Sequence, residues 1–275
     1  MNNRLKIFCV TNRPIKLLEN SDLILAGVGK DKFTDHYLKS NNQENIDFKE
    51  KYYSELTFHY WYWKNLLKQE KSDWIGFCQK RRFWIKKESY NLEITSENLK
   101  DHLLKEIPEE WRGFESVICS PIYINNVKKM KMLKRGFRSL LRDPFIFFNK
   151  KKQSLKFHFD MHHGYGNIDL ALDCINQEDK FEFKKYLSNN ISYNPHIMFI
   201  TKPEIAKKWF YSLFTWLENC EKIFGFEKLT GYDTTRLYAY LAERYLSFWF
   251  KKYTKHTSWP WIFCDLEKNN FLNGK

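Results

Sequence analysis

Three consecutive cations, Lys80, Arg81 and Arg82, stand where an apolar run of the chain ends. The run, residues 73–78, predicts a buried strand, and open α/β sheets bind their ligands beyond the carboxyl ends of strands. A guanidinium fork binds two phosphate oxygens at once and stabilises negative charge that develops on them. The spacing therefore predicts an anion site, with a solvated basic turn as the alternative.

A second group of reactive residue types lies between positions 158 and 169: His158, Asp160, His162, His163 and Asp169. A helix would place His158 and His162 on one face, and a strand would align both of them with Asp160. Either arrangement suits a metal ion, and a histidine beside an aspartate suits a general base whose tautomer the carboxylate sets. Surface histidines next to a glycine turn are the alternative interpretation.

Two further sets of charges lie in segments that are otherwise apolar. Glu55 belongs to the aromatic segment 53–67, where a charge needs a partner. It is predicted either to bond a ligand hydroxyl or to pair with an arginine such as Arg82. Glu243 and Arg244 are predicted to be a buried brace between a helix and the sheet.

Hydrophobic patterns predict the elements that must position these residues. Short apolar or alternating runs predict strands over residues 5–10, 23–28, 73–78, 116–124 and 196–201. Apolar residues spaced three and four apart predict helices over residues 53–67, 204–224 and 234–253. Residues 29–50 are predicted to be a loop. The chain is therefore predicted to have a mixed α/β sheet flanked by helices, with a helical C-terminal third.

Composition limits the class of protein. Of the 275 residues, 43% are hydrophobic and 18% aromatic, which argues against a disordered chain. The net charge of +13 favours anionic partners such as nucleotides, nucleic acid or lipid headgroups. Six cysteines without a C-x-x-C pair argue against a zinc ribbon or a redox dithiol. Neither a secretory signal nor an apolar run of about 18 residues is found, which predicts a cytoplasmic protein.

The segment 126–152 is the most basic part of the chain. It holds ten Lys and Arg residues among Met, Leu and Phe, with one acid, Asp143. This composition predicts a mobile or membrane-facing insertion, so a peripheral position at the inner face of an anionic membrane is an alternative location. Residues 1–253 are predicted to be a single domain and residues 254–275 a C-terminal tail.

Two phrases in the first third of the chain resemble a known bacterial family. They are YSELTFHYWYWKN, residues 53–65, and DWIGFCQKRRFWI, residues 73–85. Later blocks of the same pattern are His162-His163, Asp169-Leu170, Met198 to Ile200, Lys202, Arg236 and residues 238–250. In these blocks the chain is similar to a family long filed as a domain of unknown function (DUF4422). Its members occur in capsular and exopolysaccharide gene clusters and are regarded as glycosyltransferases of the GT-A type.

The resemblance implies a GT-A-like, Rossmann-like fold and transfer of a sugar from a nucleotide-sugar donor, with a UDP-sugar expected. The implied acceptor is a surface glycan, either free or lipid-linked, of the capsular, exopolysaccharide or O-antigen kind. The residues expected to bind the donor's base, ribose and diphosphate are Thr11, Asn12, Arg13, Lys80, Arg81 and Arg82. The residues expected to be catalytic are His162, His163, Asp169 and Glu55.

The sequence departs from the family pattern at Gln79 and Lys80, where the family has His-Tyr. No catalytic role is therefore assigned to position 79. Most GT-A transferases hold the diphosphate through a divalent metal on an Asp-x-Asp motif, and this chain has no such motif. Either the metal ligands are scattered or cationic side chains replace the metal. We favour the second arrangement, and no metal ligand is assigned.

Two alternative functions remain at the level of sequence. A basic nucleic-acid-binding protein is consistent with the charge and with cations interleaved with aromatic residues. The chain has no helix-turn-helix, RNP-type or zinc signature, which argues against nucleic acid as the partner. A catalytically inactive relative that acts as an assembly partner is consistent with the departures at Gln79 and Lys80.

Overall fold

The computed structural model describes residues 4–266 and 270–273, which form both strands and helices. The strands are β1 (Leu5–Thr11), β2 (Ile24–Gly27), β3 (Tyr37–Lys39), β4 (Trp74–Gln79), β5 (Arg82–Trp84), β6 (Ser116–Cys119), β7 (Ile122–Tyr123), β8 (Ser192–Tyr193), β9 (Phe199–Thr201), β10 (His256–Trp259), β11 (Trp261–Asp265) and β12 (Asn270–Asn273). The helices are α1 (Glu50–Tyr53), α2 (Leu56–Asn65), α3 (Leu99–His102), α4 (Lys129–Arg135), α5 (Phe137–Arg142), α6 (Leu155–His163), α7 (Asn167–Asp173), α8 (Gln177–Asn189), α9 (Pro203–Phe224) and α10 (Leu237–Tyr253).

Most of the strands form one mixed sheet. Its main order is β10-β6-β9-β4-β1-β2-β3. β1 is parallel to β2 and to β4, whereas β9 runs antiparallel to β4 and β6. β5 turns back from β4 and pairs with β11, which in turn pairs with β12. The predicted mixed α/β sheet flanked by helices is confirmed.

β1 shows why both faces of the sheet are covered. Successive side chains of a strand point to opposite faces, and every residue from Ile7 to Val10 is buried. Phe8 and Val10 join the core that includes α2, α9 and α10, whereas Ile7 and Cys9 join the core on the other face. A strand that is apolar on both faces is typical of the centre of an α/β sheet.

The two long C-terminal helices confirm the predicted helical C-terminal third. In α9, Trp209, Leu213 and Trp216 recur at steps of three and four and are buried. Pro203 begins α9 at a position where the missing N–H costs no helical hydrogen bond. Gly225 ends it with a positive φ of 57°, which glycine adopts readily. Helices α9 and α10 pack together and cover one face of the sheet.

The helix predicted over residues 53–67 is interrupted. α1 ends at Tyr53 and α2 begins at Leu56, because Ser54 has a φ of 53°. Residues other than glycine rarely adopt a positive φ, and those that do often lie at functional sites. The break places Glu55 at the start of α2 rather than inside a longer helix.

Two segments carry more regular structure than the sequence predicts. Within residues 29–50, predicted to be a loop, β3 pairs with β2 at one edge of the sheet. Within residues 126–152, α4 and α5 pack on α6 through a small apolar cluster. A three-residue strand and two helices of six or seven residues are too short to show a clear period in the sequence.

Residues 256–265, predicted to be part of a tail, supply β10 and β11. β10 is parallel to β6, and β11 pairs with β5, so the sheet extends beyond the predicted boundary at residue 253. These strands depend on partners that are distant in sequence, which local pattern does not reveal. Positions 1–3, 267–269 and 274–275 of the predicted domain and tail lie outside the described residues.

Candidate functional site

The turns that follow β1, β2 and β4 lie side by side at the carboxyl edge of the sheet. The Val28 N–H donates to the Thr11 carbonyl at 2.9 Å, and the Lys80 N–H donates to the Val10 carbonyl at 3.1 Å. These bonds hold the turn after β1 between its two neighbours. Two of the predicted groups of site residues therefore meet at this edge.

These turns surround a cavity of about 390 Å³, which is within the range of small-ligand sites. Seven of the ten predicted site residues line it: Thr11, Asn12, Arg13, Glu55, Lys80, Arg81 and Arg82. Gln79 and Arg236 line it as well. Five of the lining residues are cations and one is a carboxylate. We call this space the basic cavity; its charge suits a ligand that carries more than one negative charge.

Arg82 is held by an amide that also holds Glu55. The Arg82 Nη1 donates to Gln79 Oε1 at 3.0 Å, and Gln79 Nε2 donates to Glu55 Oε1. Burial lowers the pKa of Arg82, Glu55 and Glu243 oppose that shift, and the guanidinium stays charged at neutral pH. The Arg82 Nε is buried without a hydrogen-bond partner among the described residues. Such an unpaired donor is rare in folded proteins.

Arg81 is positioned by β11. Its Nη1 pairs with Asp265 Oδ2 at 3.3 Å, and its carbonyl accepts from the Cys264 N–H at 2.9 Å. The Asp265 side chain is 6% exposed, whereas the Arg81 side chain is 40% exposed. Part of the Arg81 guanidinium is therefore open to a ligand, while a strand from the predicted tail orients the rest.

Glu55 is the one carboxylate among the described residues that line the basic cavity. The sequence leaves two alternatives for it, a ligand hydroxyl or an arginine such as Arg82. In the structure Gln79 lies between Glu55 and Arg82 and bonds both. Gln79 stands where the family pattern has histidine, and both side chains can donate on one side and accept on the other. Gln79 therefore links the acid to the cation in this chain.

His162 and His163 lie on α6 and do not line the basic cavity. The helical alternative holds here, since the rings of His158 and His162 lie 4.6 Å apart between centroids. Burial, reinforced by nearby cations, lowers the pKa of His162 to about 4 and that of His163 to about 3. Both rings are therefore neutral at pH 7.

Asp169 is separated from the two histidines. It lies on α7, where it accepts from Lys156 Nζ at 2.5 Å, and Lys156 also pairs with buried Asp160 at 3.1 Å. All three line a second cavity, of about 710 Å³, between α5, α6, α7 and α8. The structure thus brings seven predicted site residues together and places His162, His163 and Asp169 elsewhere.

One polar face of α10 connects the basic cavity to the histidines. Arg236, which precedes the first turn of α10, lines the cavity, and Tyr240 stacks on His163 with ring centroids 3.7 Å apart. Glu243 lies on the same face, since residues four and seven apart project in similar directions. Arg236 is not among the site residues predicted from sequence. Its place in the family pattern, two residues before the block 238–250, was the available signal.

Glu243 and Arg244 form the buried brace that the sequence predicts. Arg244 is 1% exposed and its Nη1 donates to Glu243 Oε2 at 2.7 Å. The Arg244 guanidinium lies 3.9 Å over the ring of Tyr193, and its Nη2 is 3.2 Å from His158 Nδ1. Glu243 Oε1 also accepts from the His196 N–H at 2.6 Å. The pair therefore connects α10 to α6, to β8 and to the turn that leads into β9.

Within the described residues, no group of three or more His, Cys, Asp or Glu side chains is arranged to hold a metal ion. The basic cavity instead offers guanidinium and ammonium groups, among them Arg13 and Arg236. Its geometry can bind an anion through charge and hydrogen bonds, and it places a carboxylate, Glu55, beside that anion.

Comparison with known proteins is consistent with this architecture. The structure is similar to a solved apo structure of WbbM, a bifunctional glycosyltransferase, with a TM-score of 0.67 and 17% sequence identity. The alignment covers 98% of this chain and 46% of WbbM, so the chain spans less than half the length of that protein. At this identity the likeness shows a shared fold, which confirms the glycosyltransferase-like fold predicted from sequence.

Family comparison covers almost the same part of the chain. No curated protein matches the sequence. The family model described as "Domain of unknown function (DUF4422)" matches residues 6–255, which is most of the 275-residue chain. The chain therefore belongs to this DUF4422 family.

Proposed function

We propose that the protein is a glycosyltransferase that takes its sugar from a nucleotide-sugar donor. The observation that carries this proposal is the basic cavity, where five cations surround one carboxylate at the carboxyl edge of an α/β sheet. A nucleotide sugar presents a diphosphate, which becomes the negatively charged leaving group when the sugar is transferred. The fold shared with WbbM, and the family resemblance, support the same reaction class.

In the proposed mechanism, Arg82 and Arg81 bind the diphosphate oxygens. Arg82 is fixed by Gln79 and lines the cavity, and the Arg81 side chain is 40% exposed. Donors that are already oriented stabilise the departing charge without further rearrangement. Lys80 and Arg236 add positive charge at the same wall. The turn Thr11 to Arg13, at the end of β1, is proposed to bind the base and ribose.

The acceptor must lose a proton from its hydroxyl as the new glycosidic bond forms. Glu55 is proposed as the general base, because it lies in the cavity beside the cations that hold the diphosphate. His162 and His163 are neutral at pH 7 and lie beyond Tyr240 on the α10 side, so we place them on the acceptor side of the site. The proposed acceptor is a surface glycan, and the proposed donor a UDP-sugar.

The nucleotide is identified by a thermal-shift experiment with UDP, GDP, CDP and dTDP, each with and without manganese. UDP is expected to raise the melting temperature most, because the proposed donor is a UDP-sugar. A ligand at a hundredfold excess over its Kd adds roughly 2.7 kcal/mol to the free energy of unfolding. Dependence on manganese would distinguish scattered metal ligands from a cationic clamp. If no nucleoside diphosphate shifts the melting temperature, the donor assignment fails. Nucleotide binding without release of UDP from UDP-sugars would instead indicate an inactive relative.

Gln79 is expected to be replaceable by histidine but not by leucine. Gln79→Leu leaves the Arg82 and Glu55 side chains without the amide that joins them, so the Kd for UDP should rise roughly 5- to 100-fold, the range that corresponds to a lost buried hydrogen bond. Gln79→His keeps one donor and one acceptor, so its Kd should stay within about threefold of the wild-type value. Isothermal titration of the two variants measures both values. Equal Kd values for the two variants would contradict the linking role of Gln79.

A further inference from the structure

Residues 128–152, which we call the α4–α5 surface, expose an unusual set of apolar side chains. Of the sixteen large hydrophobic residues that are exposed in the described part of the chain, six lie between positions 130 and 148. They are Met130, Leu133, Phe137, Leu141, Phe145 and Phe148, with exposed fractions between 46% and 78%. Single exposed apolar residues are ordinary, but a concentration of them in one short segment marks an interaction site.

The opposite side of this segment is packed. Met132 of α4 and Leu140 of α5 are buried against Phe157 and Met161 of α6. Gly136 fits between the two helices, where an added Cβ would lie 2.9 Å from the Phe157 ring. The exposed side chains therefore belong to a segment with its own small core. Their exposure is therefore not due to a lack of structure in the segment.

Positive charge surrounds these apolar side chains. The segment carries ten Lys and Arg residues, all of them exposed, and a single acid, Asp143. Asp143 is neutralised by Lys152 at 2.8 Å and accepts from the Phe145 N–H at 3.0 Å. The surface as a whole is therefore strongly cationic, with phenylalanine, leucine and methionine projecting between the charges.

We propose that the α4–α5 surface binds a bilayer that contains anionic lipids. Cations attract anionic headgroups, while aromatic and aliphatic side chains enter the boundary between headgroups and acyl chains. Nucleic acid fits less well, because leucine and methionine do not stack on bases. No helix within residues 4–266 and 270–273 is long and apolar enough to span a bilayer. The association is interfacial, along the faces of α4 and α5.

The α4–α5 surface is joined by one ion pair to the chain segment that leads to the basic cavity. Arg135 at the end of α4 pairs with Asp233 at 3.2 Å, and its Nη1 lies 3.4 Å from His162 Nδ1. Asp233 is three residues before Arg236, which lines the cavity. A membrane-bound α4–α5 surface would therefore bring Asp233, and the segment that leads from it to Arg236, towards the lipid headgroups. This last step rests on the proposed function, and it suits an acceptor that is attached to a lipid.

Co-sedimentation with vesicles tests the proposal independently of turnover. The full chain is mixed with vesicles of phosphatidylcholine alone, or with vesicles to which phosphatidylglycerol is added so that the surface is anionic. Three proteins are compared: the wild type, the triple variant F137S/F145S/F148S, and a control triple variant F48S/F181S/Y211S. The control side chains are 64% to 78% exposed and lie outside the segment, so both triple variants remove similar exposed rings. Circular dichroism and melting temperature confirm that each variant is folded.

We expect the wild type to bind the anionic vesicles and to remain in solution with phosphatidylcholine alone. The F137S/F145S/F148S variant should bind at least about tenfold more weakly, because three aromatic side chains no longer enter the interface. The control variant should match the wild type.

Absence of binding to anionic vesicles would overturn the proposal, as would equal binding by the two triple variants. If the wild type and the F137S/F145S/F148S variant bind single-stranded DNA equally well, and more tightly than anionic vesicles, the surface binds nucleic acid instead. If the wild type binds anionic vesicles but transfers no sugar from UDP-sugars, only the proposed enzyme activity is contradicted.

Discussion

Arg82→Ala is expected to lower kcat/KM for sugar transfer by roughly 10²- to 10³-fold, the loss seen when one pre-oriented charge-stabilising donor is removed. Arg82 is held in place in the basic cavity, because its Nη1 donates to Gln79 Oε1 at 3.0 Å. Arg82→Lys is expected to recover only part of this loss, since an ammonium group keeps the charge but not the planar fork that binds two oxygens. Release of UDP from a UDP-sugar in the presence of acceptor measures both variants.

Two comparisons make this prediction specific. Arg112→Ala removes an exposed arginine that does not line the cavity, so its kcat/KM should equal that of the wild type. Arg81→Ala should have a smaller effect than Arg82→Ala, because Arg81 is half-exposed and shared with Asp265. Unchanged turnover in a folded Arg82→Ala protein would contradict the diphosphate role of Arg82. A larger loss for Arg81 than for Arg82 would assign the main contact to Arg81.

Glu243→Ala is expected to lower the free energy of unfolding by about 3–5 kcal/mol, the cost of removing one partner of a buried ion pair. Arg244 is 1% exposed, and Glu243 is its carboxylate partner at 2.7 Å. Without Glu243 this guanidinium keeps its charge inside the protein, and the His196 N–H also loses its acceptor. Urea unfolding followed by tryptophan fluorescence measures the change.

The control for this second prediction is Glu182→Ala. Glu182 is 57% exposed and pairs with Lys252 at 3.1 Å, so its removal should cost less than about 1 kcal/mol. The double variant Glu243→Ala with Arg244→Met should be more stable than Glu243→Ala alone, because it removes the charge that was left unpaired. Equal stability of the Glu243 and Glu182 variants would show that the brace does not contribute as a buried pair.

Much of the fold is readable from sequence because its central elements carry strong local patterns. β1 and β4 are continuous apolar runs, and α9 and α10 keep helical spacing over several turns. The cations after β4 are also readable, since a parallel strand that ends in charge predicts a ligand edge. These features are local, so they can be recognised without knowing which distant residues pack against them.

The remaining features depend on contacts between distant residues. Ser54 breaks the predicted helix through its backbone conformation, which the hydrophobic pattern does not predict. Arg236 reaches the basic cavity only because α10 packs across the sheet, and Gln79 links Glu55 to Arg82 through side-chain geometry. His162, His163 and Asp169 follow one another in sequence, but α6 and α7 direct them to different surfaces. Proximity along the chain is a poor guide to proximity in such a helical region.

The contact between Arg81 and β11 can form only late during synthesis of the chain. Its two partners, Arg81 and Asp265, are 184 positions apart in the chain. At translation rates of about 5–20 residues per second, the aspartate is made roughly 10–40 s after the arginine. During that interval the ribosome-bound chain contains β4 and its cations but lacks the strand that orients Arg81. The Arg81 side chain of the basic cavity is therefore oriented by Asp265 only after β11 has been made.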